Sequence, residues 1–221
     1  MTNGLDVISS GTAGTPKTIH RTPKNIQLCN KVAVKGQKIL PSSKVLTVTK
    51  LTHAGGSLLQ TIPAWSVGAK VTIVKFNPYM FLELIKDHTH TFLPPAMMLS
   101  VTKTKGWANA NLEGIRILGG SDYLAWDLIE QFVDKGAIVQ PNWGMSEVGP
   151  FCINAEYSNF DQINKHKKNG DHILGDNFHV DYKIEKDELI IKSNMCIHKG
   201  WFATGDLVYE KNDVLYYKGR K

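Results

Sequence analysis

GIRILGGSDYLAWDLIEQFVDKGAIVQPNWGMSE, Gly114 to Glu147, packs three structural signals into one short stretch. GIRIL is a short β-branched run and ends on Gly119-Gly120-Ser121. A helical span follows from about Asp122 to Val133, and AIVQ returns as a strand. The same alternation extends toward the N-terminus. KVLTV (Lys44 to Val48), KVTIV (from Lys70) and His90 to Leu93 read as strands, and Leu5 to Ser9 reads as a short buried strand. Between them lie helical signals. Thr22 is an N-cap with Pro23 at the first helical position, and Ile26, Cys29 and Ala33 are apolar before Gly36 closes the segment. Residues 55 to 67 read as a buried helix stopped near Gly68, with Pro63 able to bend it. Asn77-Pro78 opens a helix carrying Phe81, Leu84 and Ile85 on one face, and another short helix starts at Pro95. Strands alternating with helices predict an α/β fold: a parallel-rich sheet with helices on both faces.

The texture changes beyond Phe151. VDYKI, ELIIKS and VLYYKG are short strands separated by turns at Asp187 and Asn212-Asp213, which predicts a smaller, antiparallel β-rich unit. The expected division is an α/β core over 1–155 and a β-rich subdomain over 156–221.

Composition narrows the classes. The 221 residues are 42% hydrophobic and 21% charged, which is globular rather than low-complexity. The formal net charge is +6, compatible with an anionic ligand, but the charges are scattered and form no block. An RNA-binding role is disfavoured, because no Lys/Arg stripe is interleaved with aromatics. No run reaches the ~20 apolar residues of a membrane span, and no charged start precedes an apolar core as in a secretory signal. Cys29, Cys152 and Cys196 cannot all pair and lack CxxC spacing, so a reduced, cytoplasmic chain is expected. His88 and His90 form an HxH pair without a third ligand and read as ordinary strand polarity.

Four segments carry possible chemistry. Ser9-Ser10-Gly11-Thr12-Ala13-Gly14-Thr15-Pro16-Lys17 combines two glycines, hydroxyls and an ammonium, a set suited to phosphate oxygens; its rival reading is a polar surface turn. It is not a Walker loop, since Pro16 precedes the lysine. Gly119-Gly120-Ser121 lies at a strand's C-terminal end, where open α/β sheets bind ligands. Asn142-Trp143-Gly144-Met145-Ser146-Glu147 offers an aromatic face, a hydroxyl and a hard carboxylate. In Gly200-Trp201-Phe202-Ala203-Thr204-Gly205-Asp206-Leu207, a carboxylate in a tight turn suits vicinal ribose hydroxyls, although Asp is common in turns of any function.

Taken in order, these segments resemble the adenylate-forming superfamily: acyl-CoA synthetases, aryl-CoA ligases, luciferases and peptide-synthetase adenylation domains. SSGTAGTPK is similar to its phosphate loop, LTHAGG with PAWSVGAKVTI to its histidine segment, RILGGS to its Gly-Gly-Ala/Ser segment, and NWGMSE to its YGxTE motif. GWFATGDL with VLYYKGR resembles the family's GWxxTGD…GR pattern. The resemblance implies ATP, Mg²⁺ and often coenzyme A as cofactors, and a small-molecule carboxylate as substrate. By the same resemblance, Ser9, Ser10, Gly11, Thr12, Gly14, Thr15 and Lys17 would wrap the β- and γ-phosphates. Ser146 would contact phosphate and Glu147 would hold the metal. Gly119, Gly120 and Ser121 with Asn142 and Trp143 would sandwich the adenine, and Asp206 with Arg220 would grip the ribose. His53, with Gly119 and Gly144, would border the carboxylate pocket; a packed core histidine is the rival reading there. Lys17, His53, Ser146 and Glu147 are the catalytic candidates.

The chain also departs from the family pattern. Trp143 replaces Tyr and Ser146 replaces Thr, which keeps aromatic and hydroxyl character, whereas Ala13 removes one hydroxyl. Family members carry a long segment before the phosphate loop and, after the GR segment, a mobile C-terminal domain that supplies a catalytic lysine. The sequence is therefore expected to be truncated at both ends and to expose a sheet edge covered by a second copy or a partner protein. Two functions follow: a minimal or partner-dependent ligase, or a non-catalytic AMP/ATP-binding or regulatory protein. No DNA partner is implied.

Overall fold

A computed structural model of the chain describes residues 3–9, 16–167 and 171–221. It opens with a two-stranded hairpin, β1 (Leu5–Ser9) and β2 (Lys17–Arg21), paired antiparallel from Leu5↔Arg21 to Ser9↔Lys17. β1 is thus a partly exposed hairpin arm with only Val7 fully buried, rather than the buried strand expected, and KTIHR is its unforeseen partner. Helix α1 (Pro23–Gln37) begins where the sequence placed it. Thr22 accepts from the Asn25 amide while the Asn25 side chain accepts from the Thr22 N–H, a capping box worth about 1 kcal/mol. Gly36 does not close that helix. Lys38, in the left-handed region, caps it; Gly36 lies inside because a Cβ there would sit 2.1 Å from the Phe151 ring.

Among the described residues the main sheet has seven strands. Its parallel part runs β4 (Lys70–Ile73), β3 (Lys44–Thr47), β5 (His90–Leu93), β6 (Arg116–Gly119) and β7 (Ile138–Met145). β8 (Gly149–Asn154) and the short β10 (Asn177–Phe178) extend it antiparallel beyond β7. Both faces are covered, because side chains alternate across each strand. Leu46, Leu93, Ile117 and Val139 point to one face, under α3 (Pro78–Ile85), α4 (Pro95–Thr102), α5 (Trp126–Asp134) and α6 (Phe160–His166). Phe92 and Leu118 point to the other. There they meet Leu59 of a π-helical turn, Gly55–Thr61, that continues into α2 (Ile62–Ser66), and Val32 of α1. The expected architecture is present.

α5 starts later than about Asp122. Ser121 takes a left-handed φ of 71° and turns the chain, so the apolar stripe Trp126, Ile129, Phe132 and Val133 sets the true start. A 3₁₀ turn, Lys105–Asn109, links α4 to β6. His88 and His90 serve different neighbours: His88 meets the Leu84 carbonyl and the Thr72 hydroxyl, His90 the Gln37 carbonyl. Among the described residues no group of three His, Cys, Asp or Glu converges to hold a metal, and no helix is long and apolar enough to cross a membrane.

The second sheet is wholly antiparallel, in the order β11 (Asp181–Glu185), β12 (Glu188–Lys192), β13 (Phe202–Lys211), β14 (Val214–Arg220) and β9 (His172–Gly175). Two tight turns set its register. Lys186-Asp187 and Asn212-Asp213 both take positive φ at two successive residues, the twist that hairpin turns need. β13 was not legible as a strand because its Thr-Gly-Asp centre reads as a turn.

Candidate functional site

Two adjoining cavities, about 460 and 220 Å³, lie at the C-terminal ends of β6 and β7 and share Ser121, Asn142, Gly144, Met145 and Arg220. That is where open α/β sheets bind ligands. β6 ends at Gly119-Gly120. The Asn142 side chain donates to the Gly119 carbonyl at 2.8 Å, and a Cβ on Gly120 would lie 2.8 Å from the Asn142 carbonyl oxygen. Any other residue at 120 would push these two strand tips apart.

β7 runs through Asn142, Trp143 and Met145, so the motif expected beyond a strand lies largely within one. The register shifts at Gly144, and Ser146-Glu147 form the turn into β8. Both residues line the larger cavity. Glu147's carboxylate makes no hydrogen bond or ion pair among the described residues, leaving its oxygens available to a ligand.

Sequence reading missed the residue that holds this turn. Arg21, at the end of β2, is fully buried and has no carboxylate partner among the described residues. It donates instead to the carbonyls of Ser146 (2.9 Å), Glu147 (3.2 Å) and Met195 (2.5 Å), and to the Cys29 sulfur at 3.1 Å. A buried guanidinium is costly unless acceptors face it; here carbonyl dipoles and the Cys29 sulfur meet its Nη1 and Nη2, while Nε has no partner among the described residues. All three cysteines are free and buried nearby. Burial raises the Cys152 and Cys29 thiols, and Arg21 partly offsets the rise.

Ser9 and Lys17 pair across the hairpin and both line the larger cavity, so the ends of the predicted phosphate loop stand on its wall. Ser10, Gly11, Thr12, Gly14 and Thr15 lie outside the described residues. The Ile8 amide donates to the Thr52 carbonyl at 2.8 Å, which ties β1 to the histidine segment. His53 lines the same cavity. Its Nδ1 accepts the Gly55 amide at 3.0 Å, so the neutral ring carries its proton on Nε2. Burial lowers the His53 pKa and favours that neutral form.

The antiparallel sheet supplies the charged end. Asp206 and Arg220 are register partners on β13 and β14, with Arg220 Nη1 3.3 Å from Asp206 Oδ1. Trp143 donates its ring N–H to Asp206 Oδ2 at 2.9 Å, and the Asp206 amide donates to Thr204 Oγ1. Asp206 is 4% exposed. Burial pushes its carboxyl pKa up, while Trp143 and Arg220 pull it back. The Gly205 amide donates to Glu188, whose other oxygen meets Lys221 Nζ. Asp206, Trp143, Gly119 and Arg220 line the smaller cavity. Trp143 is largely buried against Asp206, whereas the half-exposed Tyr123, stacked on His172 at 3.9 Å, offers an aromatic face at the same cavity. Tyr123 was also missed; its signal is an aromatic two residues past Gly-Gly-Ser. Of the predicted site residues, Gly120 alone among those described falls outside both linings, at the strand tip that shapes them.

The AMP-binding enzyme family model matches residues 8–189. Among curated proteins, the chain is 28% identical to the acyl-CoA synthetase FUM10 of Gibberella moniliformis, over 67% of this chain and 28% of that protein. It is 26% identical to the indoleacetate–CoA ligase of Aromatoleum aromaticum, over 96% of this chain and 46% of the relative. The chain thus spans less than half the length of these relatives. Among solved structures, the o-succinylbenzoate coenzyme A synthetase of Bacillus subtilis in complex with AMP superposes with a TM-score of 0.80 at 22% identity, covering 100% of this chain and 50% of that one. The N-terminal domain of FACL13 from Mycobacterium tuberculosis superposes at 0.82 with 17% identity, over 98% of this chain and 60% of that one.

Proposed function

Because the chain belongs to the AMP-binding enzyme family, we propose that it binds ATP or AMP and activates a small carboxylic acid as an acyl-adenylate, in the manner of an acyl-CoA ligase. The observation that carries this reading is one arrangement. The Asp206–Arg220 pair faces the Gly119-Gly120-Ser121 tip in the smaller cavity, and the adjoining space is bordered by Lys17, His53, Ser146 and Glu147.

Asp206 and Arg220 would take the ribose hydroxyls, and the glycine tip with Tyr123 and Trp143 would border the base. Lys17, Ser9 and Ser146 would carry phosphate oxygens by charge-assisted and hydroxyl hydrogen bonds. His53, with its proton on Nε2, can donate to the incoming carboxylate and orient one oxygen toward the α-phosphorus. The bond formed joins that oxygen to phosphorus, and the bond broken releases pyrophosphate. The protein's contribution is positioning and charge neutralisation. Glu147 fits a Mg²⁺ role: its carboxylate is unpaired among the described residues and opens to the cavity, and Mg²⁺ typically takes one or two carboxylates with phosphate oxygens. When bound, Mg²⁺ would neutralise phosphate charge. A thiol such as coenzyme A would then displace AMP.

The outer strand β4 has no partner beyond it among the described residues, and Ile73 on it is exposed. This supports a second copy or partner protein at that edge. Light scattering tests the point, and a monodisperse monomer would count against it.

Carboxylate-dependent exchange of labelled pyrophosphate into ATP tests the activity, beside calorimetric binding of AMP. Exchange with at least one acid is expected. AMP binding without exchange for any acid would reduce the protein to a nucleotide-binding module.

A further inference from the structure

The larger cavity has an apolar end remote from Asp206. Past His53 and Gly144 its wall passes to Ala54, Gly55, Leu59, Phe92 and Pro150. That end is closed. Leu59 and Phe92 are each 1% exposed, and the fully buried Leu118 and Phe151 pack with them in one layer. Phe92 is fixed on two sides. Its strand pairs it with Leu118 of β6, and its ring rests where a Cβ of Gly55 would be, 2.3 Å from the ring's Cε1.

Resting on the nucleotide reading above, we infer that Phe92 and Leu59 form the floor of the acyl subsite and restrict the substrate to short aliphatic carboxylic acids. A carboxylate at His53 directs its tail toward this floor. A longer tail aimed at this floor has to displace side chains that are almost fully buried and packed against Leu118 and Phe151. The strand position of Phe92 and the glycine beneath it thus set the chain-length limit.

The test is calorimetric binding to the full chain of AMP and of acetyl, butyryl and octanoyl sulfamoyl adenosines, stable mimics of the acyl-adenylate. From acetyl to butyryl, each methylene should add roughly fourfold in affinity, the equivalent of about 0.8 kcal/mol. Octanoyl should bind about tenfold more weakly than butyryl, the size of an overpacking penalty. Phe92→Ala should bring octanoyl to butyryl's level. If that variant lacks a cooperative melt, Leu59→Ala, which opens the same floor, takes its place. Equal wild-type affinity for octanoyl and butyryl would overturn the floor while leaving the nucleotide reading intact. So would continued exclusion of octanoyl by folded Phe92→Ala or Leu59→Ala. Failure of AMP and every analogue to bind would overturn the nucleotide reading, and the floor with it.

Discussion

The parallel strands and the antiparallel hairpins contribute to one cleft in opposite currencies. At the tips of β6 and β7 the wall is mostly backbone, Gly119 and Gly144, shaped by Gly120 at the tip and by the Asn142 amide on the Gly119 carbonyl. At β13 and β14 it is charge: Asp206 and Arg220 aligned by register, with Glu188 and Lys221 beneath. A parallel sheet buried on both faces cannot cheaply host a carboxylate, so it supplies shape. A hairpin with one edge at the cleft can host ionised groups and give each a partner. Trp143 joins the halves through its bond to Asp206, and Arg21 ties the hairpin β1–β2 to the Ser146-Glu147 turn and to Met195.

Arg21 offers the most severe way to break that division. Arg21→Met leaves three carbonyls without their donor, which should cost about 4 kcal/mol, read from urea unfolding. Among folded molecules the loss should fall on the Glu147 side. MgATP affinity should drop about tenfold while AMP affinity changes little, since AMP reaches only the Asp206 end. Equal losses for both nucleotides would mean that Arg21 serves general stability and does not couple the two regions.

Removing charge from the other half comes next. Asp206→Ala deletes a carboxylate suited to two ribose hydroxyls and strands Arg220 and the Trp143 N–H. AMP affinity should fall about a hundredfold by calorimetry, consistent with one or two charged hydrogen bonds. An unchanged affinity would remove the antiparallel sheet from the site.

The two regions also differed in legibility. The inner parallel strands were readable because burial selects short β-branched runs such as KVLTV and GIRIL, and the caps Thr22 and Asn77 are local chemistry. The turns at Asp187 and Asn212-Asp213 were readable for the same local reason. β2 and β13 were not, because KTIHR and FATGDLVYEK are specified by partners rather than by their own pattern. Glu147 and Asp206 were marked by carboxylates in loop and turn contexts but gained weight, like His53, only through the order of motifs. Arg21 did not stand out, since its carbonyl acceptors lie 125, 126 and 174 residues away and are backbone groups that any sequence provides.

A smaller effect tests the shape half alone. Gly120→Ala adds one methyl against the Asn142 carbonyl, a backbone atom that cannot yield as a side chain tip does. AMP affinity should fall about tenfold, with the Asp206–Arg220 pair untouched. If Gly120→Ala binds AMP normally, the glycine tip is a turn and not a wall.

Acid distinguishes the halves with the mildest perturbation. On the parallel side, burial holds His90 below its ordinary value near 6.5, helped by the Arg116 charge and opposed by its bond to the Gln37 carbonyl. The unfolded chain therefore takes up that proton first, so stability is complete above about pH 6.5 and declines as pH falls toward the depressed folded value. Asp206 carries the opposite sign. Burial raises its pKa, so the folded state holds the proton more readily than the unfolded chain, and acid relieves a cost there instead of adding one. Melting temperature against pH should accordingly fall below pH 6.5 in the wild type. His90→Gln, whose amide can still donate to Gln37, should make that acid limb shallower, the remainder coming from His53 and His179, which burial also holds low, whereas Asp206→Asn should leave it steep. If Asp206→Asn flattened the limb and His90→Gln did not, the assignment of acid sensitivity to the parallel half would be reversed.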